Sequence, residues 1–186
     1  TAEVEDATPA ALVSHTRKRA EKAAIADMLL AHEPQVLLGG GSAYFLPQST
    51  PGSKRKDDKD MIAAFKDKGY ALATSAAELQ QAVADHQDGG KILGLFNTGN
   101  LDPTLDIRVT KKGTVPDFPD QPLVADMTRA ALDVLSKDPD GFFLMVENGW
   151  TDKATHALDW ERAIYDMIAL DQAIVVAREF QEKNPD

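Results

Sequence analysis

The sequence predicts an α/β fold, a mostly parallel β-sheet with helices on both faces, and three observations carry that reading. The strand-like segments are short, unbroken apolar runs: QVLLGGG (35–41), KILGLF (91–96) and GFFLMV (141–146). Strands covered on both faces read this way, whereas strands with one wet face alternate. Helical patterns separate the runs, as they must where parallel strands are joined by crossovers. No internal repeat, low-complexity tract or convincing linker interrupts the 186 residues, so residues 1–186 are expected to form one unit.

The elements follow in order. Thr8-Pro9 is expected to open the first helix, with Thr as cap and Pro in the first turn. That helix continues through ALVSHTRKRAEKAAIADMLLAH to about His32, with Ile25, Met28 and Leu29 on one face. Gln35–Gly41 reads as a short buried strand and a tight turn. The charged stretch SKRKDDKD leads into a helix over Met61–Lys68. Tyr70–Thr74 is strand-like, Ala76–Ala84 helical, and Lys91–Phe96 a second buried strand. Asn97–Pro122, rich in Gly, Pro, Asp and Thr, predicts a long irregular loop, a feature that is often functional. Leu123–Ser136 is amphipathic, with Leu123, Met127, Ala131, Val134 and Leu135 on one stripe. Gly141–Val146 is the strongest strand by composition. Ala157–Gln181 predicts a long helix with Trp160, Ile164, Met167, Ile168 and Ile174 turned inward.

Composition narrows the chemistry. A formal net charge of -10 argues against nucleic acid or an anionic membrane as partner, because both repel an acidic surface. There is no cysteine, so disulfides, thiolate catalysis and Cys-zinc sites are excluded, and any zinc would need His, Asp or Glu. No run approaches the ~20 apolar residues of a membrane span.

Several motifs bear on function. Glu147 leaves the Phe142–Val146 run at what would be the carboxyl end of a parallel strand, where ligands of such sheets sit. Asp152 and His156 are four apart and share a face in a helical turn. Carboxylate plus imidazole suits zinc, although Thr151 or Asp152 capping the final helix explains the same residues. Asp6 and Thr8 put two oxygens on one side of an extended segment, which suits Mg2+; helix capping by Thr8 is the plainer alternative. Arg17 and Arg19 could clamp an anion or form a solvated face. Gly39–Gly41 lacks both GxGxxG and Gly-Lys-Ser/Thr contexts, so a sharp strand-to-loop turn accounts for it better than a nucleotide loop. Asp85-His86 falls where a helix end and turn are expected and reads as structural. None of the serines lies in a nucleophile-elbow context.

Taken together, TAEVEDATPAALVSH, LGGG, KILGLF and GFFLMVENGWTDKATH resemble consecutive blocks of the bacterial alkaline phosphatase family, in order and approximate spacing, over almost the whole chain. The resemblance implies part of that family's three-layer α/β sandwich. It implies hydrolysis of phosphate monoesters through a phosphoserine, with two Zn2+ and one Mg2+. Asp6, Thr8 and Glu147 would be magnesium ligands and Asp152 and His156 ligands of one zinc. Arg19, thirteen residues after Asp6, would clamp the substrate phosphate, with Arg17 the alternative, and Lys153 would reach phosphate through water. The family's serine block, bridging aspartate and downstream Asp-His pair have no counterpart here, so the chain is expected to be a fragment without turnover. Asn148 stands where a glycine is usual. The resemblance further implies inorganic phosphate as product, a homodimeric parent, and a periplasmic or secreted location. Two other readings stay open on the residues: another metalloenzyme of the broad superfamily, a phosphodiesterase or phosphomutase, and a non-catalytic binding module with a metal-stabilised loop.

Overall fold

Among the described residues three strands form the sheet: β1 (Val36–Gly39), β2 (Tyr70–Ala73) and β3 (Lys91–Leu95), in the order β1-β3-β2. The computed structural model describes residues 1–86 and 88–185. Both strand pairs are parallel, with Leu38 opposite Gly94 and Leu72 opposite Leu93. The apolar run of β3 explains its central place, since a strand with neighbours on both edges and helices on both faces needs apolar residues throughout. Leu93 and Leu95 point into one core, with Ile25, Leu29, Phe45, Met61, Phe65 and Tyr70. Ile92 and Phe96 point into the other, with Leu79, Met127, Val134 and Ala169. The predicted three-layer arrangement is therefore observed.

The helices are α1 (Ala7–Val13), α2 (Lys22–His32), α3 (Met61–Asp67), α4 (Ala76–Asp85), α5 (Val124–Leu135), α6 (Trp150–His156) and α7 (Trp160–Lys183). Their starts are chemically marked. Asp60 accepts from the Ala63 N–H at 2.9 Å, Ser75 from Glu78 at 3.1 Å and Asp159 from Arg162 at 3.1 Å, so orphan N–H groups of the first turns are satisfied. On the first face, Phe65 packs edge-on against Tyr70, with ring centroids 4.9 Å apart.

Four expectations need correction. The single helix over Thr8–His32 is two. Ser14 turns its hydroxyl onto the Ala10 carbonyl at 2.6 Å, and Thr16 accepts from the Lys18 N–H at 3.2 Å. Such side-chain bonds offer the backbone an alternative to helix, and they do so here without Gly or Pro. The cap of α1 is Asp6, not Thr8, which lies inside the first turn. Gly141–Val146, the strongest expected strand, has no regular structure and, among the described residues, no strand partner, and Phe143 is 79% exposed. Finally, Trp160, Ile164, Met167, Ile168 and Ile174 of α7 face outward; Asp166, Ala169, Ala173 and Val176 are the buried seam. The alanines let α7 approach α5 closely, and their i, i+4 spacing continues the seam.

The predicted long loop is irregular, with one π-turn at Asp106–Thr110, yet its polar side chains lock it. Asp102 accepts from the Thr114 N–H at 3.0 Å, and Gln121 accepts from the Asp102 N–H at 2.8 Å. Asp106 is bound by Arg162 at 2.9 and 3.0 Å, which ties the loop to α7.

Candidate metal and phosphate site

Residues 1–6 carry the site's first half. They cross the carboxyl end of β1, bridged in parallel at Glu3 and Gly40. The glycines make the crossing possible: a Cβ on Gly40 would run into the Gly99 and Ala2 carbonyls, and one on Gly41 into the Glu5 carboxylate. LGGG is thus a backbone crossing, as the absence of phosphate-loop context indicated.

Asp6 sits at the start of α1 and takes Arg19 on one oxygen, at 2.9 Å from Nη2 and 3.3 Å from Nε. Arg19 itself is mostly exposed. Lys22 is the second cation. Its ammonium pairs with Glu3 and lies 3.8 Å from both Glu5 Oε1 and Asp6 Oδ2. Burial, with Lys153 and Lys54 nearby, pushes the Lys22 pKa down to about 8. Thr8 is exposed. Glu5 is wholly buried, and neither carboxylate oxygen has a hydrogen-bond partner. Burial, reinforced by the charge of Asp6, pushes its pKa up to about 8.

The second half comes from the segment after the 141–146 run. Glu147 accepts from the Thr1 hydroxyl, and Gly149 packs beside Ala2, Glu147 and Lys153. Asn148 fixes this turn: its amide donates to the Asp166 carbonyl at 2.7 Å and its oxygen accepts from the Trp150 N–H at 3.2 Å. Asp152 and His156 do share a face of α6, 3.4 Å apart, with side chains 78% and 80% exposed. Neither Thr151 nor Asp152 caps the final helix, whose cap is Asp159. Asp85 ends α4, and the His86 ring bonds the Ala82 carbonyl at 2.9 Å, which agrees with a structural role.

The structure thus gathers Asp6, Arg19 and Lys22 directly. It brings Glu147 and Lys153 alongside through Thr1, Ala2 and Lys22. Asp152 and His156 form a separate exposed pair. Among the described residues no three His, Asp or Glu side chains converge as a closed metal shell. The donor types nonetheless fit divalent cations. Asp152 and His156 offer an open carboxylate–imidazole half-site suited to zinc, and the buried Glu5 carboxyl, whose oxygens have no hydrogen-bond partner, is a further oxygen donor beside Asp6. Sequence reasoning missed Glu3, Glu5 and Lys22. The available signal was the pair of carboxylates flanking one apolar residue, Glu3-Val4-Glu5, next to Asp6, although the chain turns at Val4 and Glu5.

Comparisons with known proteins bear on the family and the fold. The family model described as alkaline phosphatase matches residues 1–186. Alkaline phosphatase 4 of Bacillus subtilis is 34% identical over 190 residues, 99% of this chain and 36% of its own. The crystal structure of Thermus thermophilus alkaline phosphatase superposes with a TM-score of 0.84 at 32% identity, over 100% of this chain and 36% of that one. A variant of the alkaline phosphatase from the Antarctic bacterium TAB5, with Mg bound in its M3 site, superposes with a TM-score of 0.77 at 26% identity, over 99% and 47%. The chain spans about a third to a half of the length of these relatives.

Proposed function

The chain belongs to the alkaline phosphatase family, and from that premise we propose that it is the part of a phosphate monoesterase that carries the phosphate-facing arginine, the magnesium ligands and half of one zinc site. The observation that carries the proposal is the pairing of Arg19 with Asp6 at 2.9 Å. Thirteen residues of chain fold back so that the cation assigned to phosphate and the carboxylate assigned to Mg2+ occupy one place.

Asp6, Thr8 and Glu147 would hold Mg2+, and Asp152 and His156 would supply two ligands to Zn2+. Bound zinc lowers the pKa of a coordinated oxygen and offsets charge on attacking and leaving groups. This chain's own side chains perform the rest. Arg19 swings from Asp6 to the phosphoryl oxygens, whose charge it neutralises most strongly where it is greatest. Lys153, on α6 beside Gly149, adds a further cation to Arg19 and Lys22. Thr1 orients Glu147 by donating to its carboxylate. A serine on further polypeptide would give up its proton and attack phosphorus as the ester P–O bond breaks, the alcohol leaving with a proton. Water would then hydrolyse the phosphoserine to free serine and inorganic phosphate. The whole enzyme would be a periplasmic or secreted homodimer releasing inorganic phosphate.

Two measurements test this. The purified 186-residue chain should show no hydrolysis of p-nitrophenyl phosphate at saturating Zn2+ and Mg2+; zinc-dependent turnover would refute the division of labour. In the longer polypeptide, Arg19→Ala should lower kcat/KM by about 10²-fold or more, while an unchanged value would remove Arg19 from the site.

A further inference from the structure

Of the four asparagines in the chain, only Asn148 precedes a glycine. That dipeptide carries a chemistry of its own. The backbone nitrogen of the following residue can attack the asparagine side-chain Cγ, and glycine, lacking a Cβ, leaves the approach unobstructed. In this step the bond from the Gly149 nitrogen to Cγ forms and the Cγ–Nδ2 bond breaks. Nδ2 leaves as ammonia, taking the Gly149 amide proton. Water then opens the cyclic imide at one of its two carbonyls. One opening leaves aspartate at 148. The other leaves isoaspartate, whose backbone runs through Cβ and Cγ and is one methylene longer.

The native turn holds both reacting parts off that path. The Asn148 amide nitrogen donates to the Asp166 carbonyl at 2.7 Å and to Asp166 Oδ1 at 3.3 Å, while its oxygen accepts from the Trp150 N–H at 3.2 Å. The amide plane is therefore fixed at both ends, whereas attack requires Cγ to turn its face to the Gly149 nitrogen. The anchor is itself immobile. Asp166 is buried on α7, and its carboxylate accepts from the Thr104 hydroxyl at 2.9 Å and the Thr104 N–H at 3.2 Å. Gly149 is fixed as well. It has helical φ and ψ of -68° and -15°, and its carbonyl accepts from the Lys153 N–H at 3.2 Å. Space around it is tight, since a methyl on its Cα would come within 3.0 Å of the Ala2 Cβ.

We propose that Asn148–Gly149 is a spontaneous deamidation site kept unreacted by the closed turn, so that opening of the turn modifies it and the modification then holds the turn open. The acid product has acceptor oxygens only, so the Asp166 carbonyl loses its donor. The new carboxylate also meets the buried Asp166 carboxyl, and two such groups at one place resist sharing it as anions. Isoaspartate adds its extra methylene between Glu147 and α6, which separates Glu147 from Asp152, Lys153 and His156. Loss of ammonia makes the change one-way.

The test follows the 186-residue chain in mildly alkaline buffer, native in one arm and unfolded in guanidinium chloride in the other. Trypsin releases residues 138–153 as one peptide. Mass spectrometry, with chromatographic separation of aspartate from isoaspartate, then reads conversion at 148. The unfolded chain should convert at 148 ahead of its other three asparagines. The native chain should convert there about tenfold or more slowly, the equilibrium worth of one net hydrogen bond on the amide. Converted chain, separated by its added negative charge, should exchange the amides of α6 faster while β3 stays protected. Three results overturn the proposal: equal rates in the two arms, no preference for 148 in the unfolded chain, or unaltered exchange of α6 after conversion. All three are read without phosphate or metal, so the phosphatase reading stands or falls separately.

Discussion

Two five-residue apolar runs meet opposite fates. Ile92–Phe96 becomes the centre of the sheet, with Ile92, Leu93, Leu95 and Phe96 all buried. Phe142–Val146 is more apolar, yet it forms no ladder and leaves Phe143 mostly in solvent. The difference lies outside both segments. Ile92–Phe96 has β1 and β2 to bond with; Phe142–Val146 is separated from β1 by an open slot. An apolar run states what environment a segment requires, and only neighbours decide whether it becomes a strand.

The comparison can be broken by substitution. Leu93→Ala should cost about 2–5 kcal/mol in urea denaturation, because it opens a cavity between packed layers, whereas Phe143→Ser should stay within about 0.5 kcal/mol. Equal losses would mean that the 142–146 run is as well packed as β3. Asn148→Ala should cost about 1–3 kcal/mol by leaving the Asp166 carbonyl and the Trp150 N–H short of partners; it should loosen the 147–156 turn in hydrogen exchange while leaving β3 protected.

Two smaller effects are pH-dependent. Burial holds the Asp166 carboxyl above its unfolded value of 3.8, despite bonds from Thr104 and Asn148. The folded state therefore keeps a proton that the unfolded chain releases, and stability falls as pH rises from about 3.8 through the raised value. Asp166→Asn should flatten that fall, seen as a melting temperature less sensitive to pH as pH rises above about 3.8; a parallel profile would contradict it. At the other end of the molecule, Lys68 and Lys91 pull Glu33 down to about 2. Its contribution is complete above pH 4.5 and is lost as pH falls through about 2. Glu33→Gln should lower stability slightly at neutral pH, a small loss because the ion pairs are partly exposed, and flatten the acid limb of the melting profile so that the two proteins converge in acid.

Much of the fold was legible. β2, β3, α3, α4 and α5 fall within a residue or two of their expected bounds, because their caps and apolar patterns act locally. The break at Ser14–Glu21 was not legible, since Ser14 and Thr16 act through hydroxyl bonds that no spacing rule exposes. The inward face of α7 was misread for a related reason: large apolar residues suggested burial, but the contact with α5 needed small ones. At the site, the i, i+4 pairing of Asp152 and His156 was readable from helix geometry. The buried Glu5 was not, because its isolation depends on Gly41 and the N-terminal crossing.

By itself the sequence determined the class of fold and the chemical character of each segment, because propensity, capping and residue type are properties of short stretches. Only the tertiary structure decided that Arg19 reaches Asp6, that Lys22 stands among three carboxylates, and that β3 rather than the 141–146 segment completes its ladder. Those outcomes require backbone and charge to meet across long loops, and pairing between distant segments depends on which partners are in reach rather than on what either segment prefers alone.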